Sequence, residues 1–177
     1  MTRSIIIKFC FTSFLIISLS CRKSVNPGAG ADPGDLLPVN DDISGFKKKG
    51  GEAVMTDYQT IMDAIDGAAE KYIFYGFVEG VQQMYSNGAI DIDVRIMNHG
   101  SEANALGIME EFFPASPEIL SNRNPRVAVD HSLLTGYSLF YVRDNIFMEI
   151  YTFEKSNFAL NMAKQFYSNV DKKITSR

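Results

Sequence analysis

No tryptophan occurs in these 177 residues, and only two cysteines and two histidines do. Both cysteines, Cys10 and Cys21, fall within the first 21 residues. The rest of the chain can therefore form no disulfide and no cysteine-ligated zinc site, and its core alone must hold it together. A long hydrophobic run is also missing. Phe9 to Leu19 is too short to cross a hydrocarbon layer, which takes about 20 apolar residues. Positive charge is scarce: 17 Lys and Arg face 21 Asp and Glu, and the longest basic run is Lys47-Lys48-Lys49. An acidic chain with so short a run is a poor nucleic-acid ligand, because that binding rests on neutralising phosphates. Beside Gly50-Gly51, the three lysines read as a solvated turn.

What is present begins with an address. Arg3 and Lys8 precede the apolar stretch, and Ser18-Leu19-Ser20-Cys21 places a small residue before a cysteine. This is the pattern of a bacterial lipoprotein export signal over residues 1–20, removed so that Cys21 carries acyl chains. Two chains of about 15 methylenes at roughly 0.8 kcal/mol each give about 20 kcal/mol, enough for lasting attachment to a membrane. Residues 21–35, rich in Pro, Gly, Ser and Asn, read as the lipidated cysteine and a flexible tether. Without residues 1–20 the chain loses Arg3 and Lys8 and no acid, so 15 basic side chains face 21 acidic ones. Residues 36–177 make one domain, large enough for a core of its own. The expected location is the bacterial cell envelope, with the membrane engaged through Cys21.

Within that domain the periods are legible. Thr56-Asp57-Tyr58-Gln59 opens a helix as a capping box, with Ile61, Met62 and Ile65 on one face. Tyr72 to Tyr85 reads as a long strand, and Asn87-Gly88 as a turn into Ala89–Met97. There Ile90, Ile92, Val94 and Ile96 point inward and Asp91, Asp93 and Arg95 outward. Ser101 caps a helix running to Phe113. Pro114 to Pro125 reads as a loop with three prolines, and Arg126 to Asp130 as a short strand. Tyr137–Val142 and Ile146–Phe153 form a second hairpin, and Ser156 caps a last helix to about Lys173. The expectation is an α+β fold: a mostly antiparallel sheet built from two hairpins, with three helices packed on one side and a helix–hairpin unit used twice.

Asp66-Gly67-Ala68-Ala69-Glu70-Lys71-Tyr72-Ile73-Phe74-Tyr75-Gly76-Phe77, followed by Ala103-Asn104-Ala105-Leu106-Gly107-Ile108, resembles elements of a family of uncharacterised bacterial exported proteins and lipoproteins. The resemblance spans roughly Leu36 to Ile174 and implies a shared fold and an exported location. It transfers no catalytic residue. Phe46 stands where many relatives would carry tryptophan.

Chemistry-bearing residues are few. Glu70 requires a partner such as Arg95 if buried. His99 sits where a strand meets a helix N-terminus, a place that can hold an anion. His131 lies in Asp130-His131-Ser132, where strand neighbours point to opposite faces and make no triad. Glu70, His99 and His131 are the candidate ligand-binding residues. Asp91 and Asp93 read as a solvated strand face. There is no zinc spacing, no GxSxG and no phosphate loop, so no cofactor and no metal are expected. The function expected is a non-catalytic, lipid-anchored domain binding an envelope partner or a small ligand. The alternatives are an enzyme with a pocket near His99, Glu70 and His131, and a structural envelope lipoprotein.

Overall fold

The computed structural model describes residues 31–65 and 67–177. The expected signal, Cys21 and most of the tether lie outside the described residues, as does Asp66. The chain runs α1 (Pro33–Leu36), β1 (Lys47–Met55), α2 (Tyr58–Ala64), α3 (Ala69–Phe74), β2 (Glu79–Ser86), β3 (Asp91–Asn98), α4 (Glu102–Glu111), β4 (Glu118–Asn122), β5 (Arg126–Asp130), β6 (Tyr137–Arg143), β7 (Ile146–Thr152) and α5 (Asn157–Thr175). The seven strands form one sheet in the order β1-β2-β3-β7-β6-β5-β4. Every neighbouring pair is antiparallel. The α+β architecture is the expected one. The two hairpins, β2–β3 and β6–β7, form its centre, and β1, β4, α1 and α3 are additions to the expectation.

The hairpin turns form for local reasons. Asn87 Oδ1 accepts from the backbone N–H groups of Ala89 and Ile90, both at 2.9 Å. Gly88 follows at φ +85°, a conformation that glycine adopts without strain. In the second hairpin Asp144 takes the left-handed position at φ +51°.

Helices cover both faces of the sheet, not one. The first face carries Ile92, Val94, Ile96, Leu139, Tyr141, Met148 and Ile150 beneath Ala159, Ala163, Phe166 and Val170 of α5. Leu36, Leu37, Ile43 and Phe46 lie on the same face, where Tyr85 Oη donates to the Pro38 carbonyl at 2.8 Å. The second face carries Met97, Ala128, Phe140, Val142 and Phe147 beneath residues of α2, α3 and α4. The sequence does mark this second layer: Tyr137 to Val142 is almost entirely apolar, which suits a strand buried on both sides. The alternation in β3 points the other way, because its second face is polar at Asp93 and Arg95 before turning apolar at Met97.

Four further expectations are corrected. Tyr72 to Phe74, expected as the start of a long strand, are instead the end of helix α3. Ala69, Glu70 and Lys71 are good helix formers, and Ala69 and Tyr72 bury one face at i, i+3. The helix ends in a Schellman turn: Phe77 N–H donates to the Tyr72 carbonyl at 3.1 Å and Gly76 N–H to that of Ile73 at 3.0 Å. Gly76 sits at φ +67°, and a Cβ there would collide with the Asn104 amide. Lys47 to Lys49 begin edge strand β1, whose ladder shifts register between Lys49 and Ala53, and the proline-containing loop 114–125 includes β4. The capping box of α2 lies one residue further on than expected. Asp57 Oδ1 accepts from Thr60 N–H at 2.9 Å, and Thr60 Oγ1 accepts from Asp57 N–H at 3.0 Å. Ser101 and Ser156 cap α4 and α5 as expected.

The Phe166 ring meets Phe46 edge-on at 5.3 Å and Tyr85 at 4.9 Å between ring centres. Phe166→Ala is therefore expected to destabilise the protein by about 3–5 kcal/mol, measured as a shift in denaturant midpoint. A loss below about 1 kcal/mol would contradict this packing.

Candidate functional site

Glu70, His99 and His131 do not converge. Glu70 stands exposed in the first turn of α3, where the Tyr58 hydroxyl donates to it at 2.6 Å and holds its carboxyl below the usual carboxylate range. Arg95 is engaged elsewhere. His131 follows β5 at the end of the sheet where β6 begins. Its Nε2 lies 2.6 Å from Glu118 Oε2, and its ring rests against Tyr137. His99 follows β3 at the opposite end and is fully buried.

The connector holding His99 is tightly bonded. His99 N–H donates to the Asn145 carbonyl at 2.8 Å, and Asn104 Nδ2 donates to the His99 carbonyl at 3.0 Å. Nδ1 lies 2.7 Å from the Tyr75 carbonyl oxygen, which can only accept, so the ring proton sits on Nδ1. Nε2 is then a lone pair with no partner among the described residues. Tyr72, Phe77 and Phe147 surround the ring. Burial pushes the His99 pKa down, with the Tyr75 carbonyl pulling weakly the other way, so the imidazole is neutral at pH 7.

On the same side of β3 as His99 lies a cluster that the sequence reading missed. Asp93 was expected in solvent and is only 2 % exposed. Arg95 stands between two carboxylates, with Nη2 3.0 Å from Asp93 Oδ2 and Nη1 3.2 Å from Glu149 Oε2. The β3–β7 register sets Arg95 directly opposite Glu149. Gln82 Nε2 donates to Asp93 Oδ2 at 2.8 Å, and Ser138 Oγ to Glu149 Oε1 at 3.2 Å. Asp93 Oδ1 and Arg95 Nε are buried without partners among the described residues. Tyr72 of α3 leans over the group, and burial with the nearby Glu149 charge raises its hydroxyl pKa. Asp91, by contrast, sits at the sheet's rim, paired with Lys49 at 2.6 Å.

Two carboxylates sharing one guanidinium leave one excess negative charge in a poorly solvated place. Burial pushes both the Asp93 and the Glu149 carboxyls above the usual range, against the opposing pull of Arg95. Such a cluster can take up a proton or attract a cationic group. Among the described residues no group of three His, Cys, Asp or Glu side chains is placed to hold a metal ion. One signal for the cluster was readable: Glu149 is an isolated acid in the apolar run Ile146-Phe147-Met148-Glu149-Ile150.

A different kind of feature marks the end of α3. Phe74 is 81 % exposed, and Ile73 and Val78 beside it are a little under half exposed. Tyr75, between them, packs so tightly on α4 that a Cβ at Gly107 would strike its ring. The Schellman turn thus fixes an apolar surface that the helix does not bury.

The raised carboxyls give stability a sign. A carboxyl with a raised folded-state pKa favours folding fully below its unfolded value, and that contribution is lost as pH rises through the folded value. The contribution of these two carboxyls is therefore expected to fall as pH rises above the ordinary carboxylate range, by at most about 1.4 kcal/mol per pH unit for each proton released, while the depressed His99 pKa works in the opposite direction below its unfolded value. Glu149→Gln should flatten this slope in denaturant titrations. An unchanged slope would show that Glu149 is not the group released.

No known protein family matches the sequence, and no curated protein matches it at a significant level. Among solved structures, the fold is similar to the extracellular domain of PknH from Mycobacterium tuberculosis, with a TM-score of 0.53 and 10% sequence identity. The match covers 82% of this chain and 99% of that one. At that identity the likeness is one of fold, shared with a domain that lies outside a membrane. None of the helices of the described residues is long and apolar enough to cross a membrane.

Proposed function

We propose that this protein is an exported, lipid-anchored binding domain of the bacterial cell envelope, held to its membrane through Cys21 and recognising a partner through the surface at the end of α3. The observation that carries the reading is the exposure of Phe74, with Ile73 and Val78, on a turn held by its own hydrogen bonds. An aromatic side chain fixed in solvent favours a binding partner that covers it. Ile73 and Phe74 of this surface belong to the segment on which the likeness to uncharacterised exported proteins rests. The fold shared with an extracellular domain supports an exported location.

The two parts of the reading are tested apart. Cys21→Ala should release the protein from the membrane fraction and abolish metabolic labelling by fatty acid. Labelling that persists in that variant would overturn the anchor.

For recognition, a photo-crosslinking phenylalanine analogue is placed at position 74 of the full chain in its native envelope. A second placement at Leu134, 93 % exposed in the loop between β5 and β6, serves as control. A discrete adduct from position 74 alone is the expected result. Adducts from both positions, or from neither, would remove the recognition surface from the proposal.

A further inference from the structure

The apolar surface at Phe74 lies at the end of the sheet where the described chain begins. Val78 leads directly into β2, and its N–H donates to the Asn98 carbonyl at the end of β3 at 2.8 Å. The first described residues meet that same end of β2, where Asp32, Pro33 and Gly34 share a recess with Val54, Glu79 and Val81. Val54 is itself exposed there. Leu134 lies at the other end, because the turn that holds it joins the end of β5 to the start of β6, level with Thr152 and Ile92.

The length of the preceding chain gives these two ends different reach. Ten peptide links separate Cys21 from Ala31, and a chain of that length spans at most about 36 Å. The eight residues of β2, at about 3.3 Å each, set the far end of the sheet about 26 Å further away. An anchor at Cys21 therefore brings the Phe74 end to the membrane first. Leu134 could touch the same membrane only with the connecting chain drawn out to most of its reach, against its conformational entropy.

The surface itself is small, apolar and without free positive charge on α3. Ile73, Phe74 and Val78 offer far less than the roughly 800 Å² per partner that a stable protein complex buries. A membrane to which the chain is already attached demands no such area, because attachment makes the second contact intramolecular. Lys71, the basic residue of α3, is paired with Glu111 at 2.9 Å, and Glu79 follows Val78. Contact here is apolar rather than electrostatic. That suits the boundary between headgroups and acyl chains, where aromatic rings settle.

We propose that the partner of the Phe74 surface is the lipid interface of the membrane that carries Cys21, with Phe74 as the side chain that enters it. This rests on the anchor and the recognition surface proposed above, and it names what that surface recognises. The sheet then stands with the start of β2 toward the membrane and the Leu134 end away from it.

Because the chain has no tryptophan, Phe74→Trp supplies a single fluorescent reporter at an exposed position. The anchored protein, purified from membranes, is reconstituted in phosphatidylcholine vesicles with and without brominated acyl chains, which quench indole on contact. Emission from position 74 should fall about twofold or more in the brominated vesicles, and equally at about 0.1 M and about 1 M salt. Leu134→Trp should lose little emission. Absence of quenching at position 74, equal quenching at both positions, or quenching abolished by high salt would each overturn the lipid assignment. A protein adduct from position 74 in the crosslinking experiment, without quenching, would overturn it while leaving the recognition surface in place. Protein that does not float with the vesicles would overturn the anchor, and this inference with it.

Discussion

Every feature on either face of this sheet is positioned by the antiparallel ladder between β3 and β7, which joins the two hairpins at its centre. Seven residue pairs, from Ile92 opposite Thr152 to Asn98 opposite Ile146, fix how the halves meet. Ile92, Val94 and Ile96 then align with Ile150 and Met148 beneath α5. The intervening residues align on the other face, where Met97 and Phe147 pack beneath the second helical layer. A slip by one residue would exchange the two faces and drive Asp93, Arg95 and Glu149 into the contact with α5. The charged trio makes that alternative expensive, because its members are satisfied only when Arg95 lies across from Glu149. Buried ion pairs add little net stability compared with apolar packing. Here the geometry gives them a second effect, on the uniqueness of strand pairing.

The helices follow from the same ladder. Because β6 is apolar on both sides, neither face can be left to water, and the chain covers both. A long amphipathic helix lies on one, with Ala159 and Ala163 allowing close approach. The shorter α2, α3 and α4 cover only part of the other. The polar residues Asp93, Arg95 and Glu149 stand beneath this layer, largely shielded from water, and its end is where Phe74 emerges.

How much of this was readable from the residues depends on how local the cause was. The Asn87-Gly88 turn, the caps at Ser101 and Ser156 and the stripe of α5 are set by residues within a few positions of one another, and the sequence shows them. Helix α3 was misread because Tyr72, Phe74, Tyr75 and Phe77 carry strand-like composition, while the Gly76 turn that ends the helix gives a weaker signal. The burial of Asp93 was hidden for another reason. Strand alternation reveals that two faces differ, but whether the polar face meets water depends on helices tens of residues away. The candidate histidines were separated by the same non-local geometry: His99 and His131 fall at opposite ends of the sheet.

The contact between Lys173 and the Leu37 carbonyl has a mechanical consequence. The earliest described residues are fastened to the final helix by it, by Asp42, and by Arg177 lying 3.4 Å from Asp35. Tension applied at residue 31 would reach α5 through these links and β2 through the bond from Tyr85 to the Pro38 carbonyl. The load on the leading segment would thus be divided between the last helix and the sheet, and neither would carry it alone.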